Sequence, residues 1–183
     1  YAPKGTGFLC AGGGARRDHR PFRFGGPQEE GLFPGTENLP GILALAKAVE
    51  LLSSRFSQDE AMLLALENDG RRILDSSELE YVWESPPHKA GGVFCISLPW
   101  VSDMEDLLFF LNGKHIFLSR FSACTGRVDG ASRVLLAMGR PLSRASTSLR
   151  IALGRESLRK DIFALASALK EYRGKPGSRG REK

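Results

Sequence analysis

Cysteine is scarce in this sequence and nowhere clustered. Only Cys10, Cys95 and Cys124 occur among 183 residues. Three widely spaced thiols with no Cys-x-x-Cys pair argue against a disulfide framework and a structural zinc site. The three histidines, His19, His88 and His115, show no metal-ligating spacing either, so no metal is expected. No apolar run approaches the ~20 residues needed to span a bilayer, and no charged segment followed by an apolar run opens the chain, so neither a membrane span nor a signal peptide is expected. The glycine clusters Gly12-Gly13-Gly14 and Gly25-Gly26 do not match phosphate-loop spacing. There is no internal repeat.

What is present is ordinary globular material, 42% hydrophobic and 26% charged, at the length of one domain of roughly 100–200 residues. The net charge of +5 suggests nucleic acid until it is located. Residues 173–183 hold Arg173, Lys175, Arg179, Arg181 and Lys183 against Glu182, a net of +4, which leaves +1 on the preceding 172 residues. That stretch is interrupted by Gly, Pro and Ser and lacks aromatics to stack on bases, so it reads as a disordered basic tail, and nucleic acid is not an expected partner. Unpaired cysteines fit a reducing compartment, hence a cytoplasmic location, or an organelle matrix in a eukaryote.

Hydrophobic periodicity predicts strands interleaved with helices, an α/β or α+β domain. Residues 1–11 read as a strand. Residues 12–37 are a long segment rich in Gly, Pro and charge, a length that suggests function or contact with another element. Helices are expected over 38–52, with Asn38 as cap, and over about 58–74, with Gly70 weakening continuity. Strands follow at 79–83 and 93–98. Ser102 and Glu105 form a capping-box pattern ahead of a helix over 103–112. A strand at 115–119, a short helix at 131–138, a strand at 148–153 and a helix at 157–172 complete the chain.

Several residues stand out chemically. Cys124 lies in FSACTGRVDG, a loop-like stretch where Arg120 and Arg127 favour a thiolate; the alternative is plain packing. Cys10 and Cys95, each in an apolar strand-like run, read as small buried hydrophobes. Thr36 stands at the mouth of a helix, where unpaired N–H groups suit an anion, although it or Asn38 could simply cap that helix. Arg150 interrupts the apolar strand SLRIAL and is either an edge residue or a buried cation needing a carboxylate.

Together these segments resemble a known family. FGGPQEEGLFPGTENLPGILALAKAVEL (24–51) resembles the GGxQExGxRxGTEN…GIxGLxKAxEL segment of cysteine desulfurases, pyridoxal-phosphate enzymes of the class V aminotransferase superfamily. SRFSACTG…SRVLLAMG (119–139) resembles their active-site loop, SSGSACSSG…SxVLxAxG. ASTSLRIALGR (145–155) resembles SSIRFSLGR, and YAPKGTGFL resembles the strand that follows the cofactor lysine in HKxxGPKGxGxLY. These motifs occur in family order and cover nearly the whole chain outside the tail.

The resemblance implies the C-terminal portion of a fold-type I enzyme. Residues 1–37 would be a remnant of the large cofactor-binding domain with a dimer-contact loop, 38–172 the small domain with the cysteine loop, and 173–183 the tail. It implies Cys124 as the nucleophile that carries sulfur as a persulfide, Arg150 as the grip on the substrate carboxylate, and Thr36 as a ligand of the pyridoxal 5'-phosphate phosphate group across a homodimer. L-cysteine would be the substrate, a sulfur-acceptor or scaffold protein the partner, and iron–sulfur cluster or thio-cofactor synthesis the purpose. A selenocysteine lyase, another class V enzyme or a non-catalytic degenerate fragment are the alternatives. The Schiff-base lysine would precede Tyr1, so the isolated chain is expected to be inactive; Lys4 matches the PKG lysine, and the role is not carried to His88-Lys89. Phe33-Pro34 and Arg120-Phe121 depart from the family pattern.

Overall fold

The computed structural model describes residues 1–10, 12, 20–21, 23–120 and 130–175. By its internal contacts the chain divides into Tyr1–Phe56 and Ser57–Lys183. In the first unit residues 1–10 form no strand. The apolar run TGFL has no neighbouring strand to pair with among the described residues of this unit, and Phe8 and Leu9 are exposed. Cys10 is exposed too, against the expectation of a packed thiol. Further on, the chain turns through Gln28–Gly31, where Glu29 and Glu30 take left-handed conformations (φ 51° and 59°), and the Gln28 side chain accepts the Gly35 N–H at 3.1 Å.

The two helices expected over 38–52 and 58–74 are one, α1 (Leu39–Ser76). Ser54 does not break it, because its hydroxyl donates back to the Leu51 carbonyl at 2.9 Å, a local bond that a helix accommodates. At the start, Asn38 Oδ1 accepts the Gly41 N–H at 3.2 Å, as an N-cap does. Ile42 and Val49, part of the expected apolar stripe, are exposed within this chain.

In the second unit, β1 (Val82–Trp83), β2 (Val93–Ser97) and β3 (Ser148–Ala152) form an antiparallel sheet in the order β1-β2-β3. The expected strand over 115–119 is reduced to a single bridge, Ser119 to Arg150. Side chains alternate across the sheet. Phe94, Ile96, Leu149 and Ile151 enter the main core with Ile73 and Leu74 of α1, Leu107 and Leu111 of α2 (Met104–Gly113), and Ile162, Leu165 and Leu169 of α5 (Arg159–Arg173). Asp103, one residue after the expected Ser102, caps α2 by accepting the Glu105 and Asp106 N–H groups. The helix α5 runs through Arg173, which the sequence reading had assigned to the tail. Its guanidinium lies 5.7 Å from the Trp100 ring and donates to the Glu78 carbonyl, and Lys175 Nζ lies 3.9 Å from the Phe110 ring, so the chain packs at least three residues further than its composition suggests. Residues 176–183 lie outside the described residues.

Gly70 is buried in α1 because a helix crosses it closely: a Cβ there would stand 3.1 Å from Ile162 Cδ1 and 3.7 Å from Phe94 Cζ. The glycine marks a packing site, not a break. Gly70→Leu is expected to destabilise the second unit by about 1–3 kcal/mol through overpacking, read as a fall in the chemical-unfolding midpoint; an unchanged midpoint would refute the close crossing.

The other sheet face carries Cys95, Ser97, Ser148 and Arg150. Two short helices, α3 (Arg133–Ala137) and the unforeseen α4 (Leu142–Ser146), supply Leu135 and Ala145, which pack with Ala131 against Cys95. A fully buried carboxylate ties α4 to this face. Glu84 takes two 2.7 Å hydrogen bonds from Arg144 Nε and Nη2 and one of 2.8 Å from Ser97 Oγ, with Arg140 Nε at 3.2 Å. Burial alone would push this carboxyl up, but the bonds from Arg144 and Ser97 and the charges of Arg144 and Arg140 outweigh it and hold Glu84 below the usual carboxylate range. A group depressed in the folded state stabilises fully above its unfolded pKa, about 4.3, and loses that contribution as pH falls through the lower folded value. Glu84→Ala is therefore expected to cost about 3 kcal/mol at pH 7, the low end for a broken buried pair because both guanidiniums can reach water. Part of the acid-induced fall in stability below pH ~4 should vanish with it; unfolding curves of both proteins from pH 7 to 3 measure this.

Candidate functional site

Arg150 sits at the centre of β3 with sheet neighbours on both sides. Cys95 is its cross-strand partner on β2, and on the other side its N–H donates to the Ser119 carbonyl at 2.7 Å. It is therefore no edge residue. Half-buried, it makes no ion pair with a carboxylate among the described residues. A strand arginine so placed presents a planar fork of donors suited to a carboxylate brought from elsewhere.

Six residues before it Arg144 is tied to Glu84 on the same face, and five residues after it the chain reaches a second anchored arginine. Arg155 Nε stands 2.6 Å from Asp59 Oδ2, in a pair that is mostly buried. Arg150 thus lies on a strand held at both ends, and its neighbours Leu149 and Ile151 lock it from the opposite face.

Cys124 lies outside the described residues, 121–129. The segment that bears it leaves from Ser119 and Arg120, next to Arg150, and the chain resumes at Gly130. Thr36 belongs to the first unit. It is exposed, follows Gly35 (φ 115°), and its hydroxyl makes no hydrogen bond among the described residues, the capping role being taken by Asn38. Lys89 is engaged as a structural cation, 2.5 Å from Glu67 Oε2, a carboxylate that also accepts the Gly92 N–H. This agrees with leaving the cofactor-lysine role off the His88-Lys89 dipeptide.

Cys95 is the site neighbour that sequence reasoning missed as such; period-two alternation over 93–97 and 148–152 pairs it with Arg150 only once the register is known. Burial and the Glu84 charge push its thiol up to about 11, against smaller opposing effects of Ser148 and Arg150. It is neutral at physiological pH and a poor nucleophile. A surface hollow lined by Lys114, His115, Phe117, Ile151, Ser157 and Asp161 includes neither Arg150 nor Cys95. Among the described residues no cluster of His, Cys, Asp and Glu could hold a metal ion, and no helix is long and apolar enough to cross a membrane.

The family described as aminotransferase class-V matches residues 1–165, and the chain belongs to it. It is 32% identical to cysteine desulfurase IscS of Methanosarcina thermophila, over 92% of this chain and 41% of that protein. It is also 32% identical to the mitochondrial cysteine desulfurase of Saccharomyces cerevisiae, over 93% of this chain and 34% of that one. Among solved structures, a NifS-like protein from Rickettsia africae superposes with a TM-score of 0.70 at 24% identity, over 83% of this chain and 39% of that chain; this places the fold, mixed helix and sheet, among those of NifS-like enzymes. The chain spans well under half the length of these relatives.

The thiol assignment has a direct check. Under iodoacetamide at pH 8, mapped by peptide mass spectrometry, Cys95 is expected to react much more slowly than exposed Cys10, and to accelerate up to about pH 11; comparable rates at pH 8 would contradict a half-buried neutral thiol.

Proposed function

We propose that this chain is the C-terminal part of a cysteine desulfurase, converting L-cysteine to L-alanine with the sulfur left as a persulfide on Cys124. The observation that carries this reading is Arg150, a half-buried guanidinium fixed in mid-strand with no carboxylate on it among the described residues. Relatives bearing the name cysteine desulfurase at 32% identity support the choice of substrate.

Arg150 would grip the substrate carboxylate through two parallel N–H···O bonds and so set the position of the substrate sulfur. The Cys124 thiolate attacks that sulfur. The substrate's C–S bond breaks, an S–S bond forms to Cys124, and the carbon takes a proton to become the methyl group of alanine; no external oxidant is consumed. Pyridoxal phosphate, when bound, supplies the electron sink that weakens the C–S bond. Of this chain's residues, Thr36 suits the cofactor's phosphate: its hydroxyl is exposed beside the start of α1, and Asn38 has relieved it of capping. In this reading Thr36 serves the cofactor of the second subunit of a homodimer, and the persulfide passes to a sulfur-acceptor protein for iron–sulfur cluster or thio-cofactor synthesis in the cytoplasm or an organelle matrix. The domain division belongs to the same proposal: 1–37 to the large domain and its dimer contact, 38–172 to the small domain, with a basic tail after it.

In cofactor-loaded protein, Cys124→Ser is expected to abolish the persulfide detected by mass spectrometry after L-cysteine, while Cys95→Ser retains it. Arg150→Ala, losing charge-assisted bonds worth about 1.5–3 kcal/mol, should raise KM for L-cysteine by about 10- to 100-fold. A persulfide that forms normally on Cys124→Ser would refute the assignment.

A further inference from the structure

Arg120 is the last described residue before the Cys124 segment and Gly130 the first after it. The Arg120 side chain, only 16% exposed, turns back from the segment. Its Nη2 donates to the Gly130 carbonyl at 3.0 Å and to the Ser146 carbonyl at the end of α4 at 3.4 Å, while Nη1 faces Glu105 of α2 at 3.8 Å. One residue earlier, the Ser119 carbonyl accepts the Arg150 N–H; shortly after the segment, the Ser132 N–H donates to the Ala145 carbonyl at 3.0 Å. The start of residues 121–129 is thus referred to the Arg150 strand and to the C-terminal end of α4, and their end to the C-terminal end of α4 and to Arg120 itself.

We propose that Arg120 is a positioning residue that fixes where the Cys124 segment starts and ends relative to Arg150, by binding the carbonyls of Gly130 and Ser146 with one guanidinium. A guanidinium is suited to this because Nη2 carries two N–H bonds in the fixed plane of the group, one for each carbonyl, and it stays charged at every working pH. A lysine, with a single rotatable ammonium, holds fewer of these contacts in fixed geometry. The inference rests on the desulfurase reading only for the meaning of Cys124; the tie itself runs from Arg120 to Gly130 and Ser146.

The test uses the full chain with Arg120→Ala and Arg120→Lys, following tryptic cleavage after Arg127 by mass spectrometry beside the thermal unfolding midpoint. Arg120→Ala is expected to speed cleavage at Arg127 by about tenfold with the unfolding midpoint nearly unchanged, and Arg120→Lys to fall between, because lost charge-assisted bonds lower the cost of local opening. Unchanged cleavage would overturn the proposal. So would a rise matched at other tryptic sites with a large fall in the midpoint, since that is general destabilisation. In cofactor-loaded protein, Arg120→Ala should lower kcat for persulfide formation several-fold and leave KM for L-cysteine near its original value; a change in KM alone would also count against a positioning role. Faster cleavage in a protein that forms no persulfide, even unsubstituted and extended to carry the Schiff-base lysine with its cofactor, would leave the tie standing and remove the desulfurase reading.

Discussion

The buried carboxylate of Glu84 organises the second unit. It has no access to water, so its charge must be met by protein donors, and Arg144, Ser97 and Arg140 meet it. That requirement brings α4 to the end of β1, across 60 residues of sequence, and to Ser97 of β2, whose hydroxyl also lies 2.9 Å from the Arg144 carbonyl. It also fixes the Ser146 carbonyl, which receives Arg120, and the Ala145 carbonyl, which receives Ser132. A hydrophobic pair could hold α4 to the sheet with comparable strength. The ionic version adds direction, because a bidentate guanidinium fixes the helix in rotation as well as distance.

The two faces of the sheet divide the work. Phe94, Ile96, Leu149 and Ile151 take part in a conventional apolar core with three helices, and α1 can approach closely there because Gly70 has no side chain. The opposite face is polar, and among the described residues Leu135, Ala145 and Ala131 pack on Cys95. Stability concentrated on one face leaves the other able to carry an arginine in mid-strand.

Much of this was readable in the sequence where local signals agree with tertiary demand. Alternation located β2 and β3 to within a residue, and the helix expected over 157–172 is α5, with Ile162, Leu165, Leu169 and Tyr172 on its buried face. Failures arose where a partner decides. Residues 1–11 have strand-like composition, but a strand exists only beside another. Two helices were expected over 38–52 and 58–74, yet α1 runs through the gap, where Ser54 satisfies its hydroxyl within the helix. Periodicity gave no hint of α4, only five residues long and held through Arg144 to a glutamate 60 positions away. The candidate arginine was visible as a charge among apolar neighbours, but its central position followed only from Ser119 pairing on one side and Cys95 on the other. The Cys124 motif was readable in the sequence alone, and its placement lies outside the described residues.

The electrostatics of the polar face bear on why Arg150 can wait for an anion. Glu84 lies on that face through Ser97 and could compete for Arg150 as an internal counter-ion. Arg144 takes both of its oxygens and Arg140 approaches one of them, so the cluster is already over-neutralised by one charge. Adding Arg150 makes the face positive by two charges, while the neighbouring Cys95 thiol is kept neutral by burial and by Glu84. At effective dielectric values near 20, like charges gathered on one face repel one another. A carboxylate docking on Arg150 relieves that repulsion, so the same pairs that fix the fold of this face also favour an anionic ligand on it.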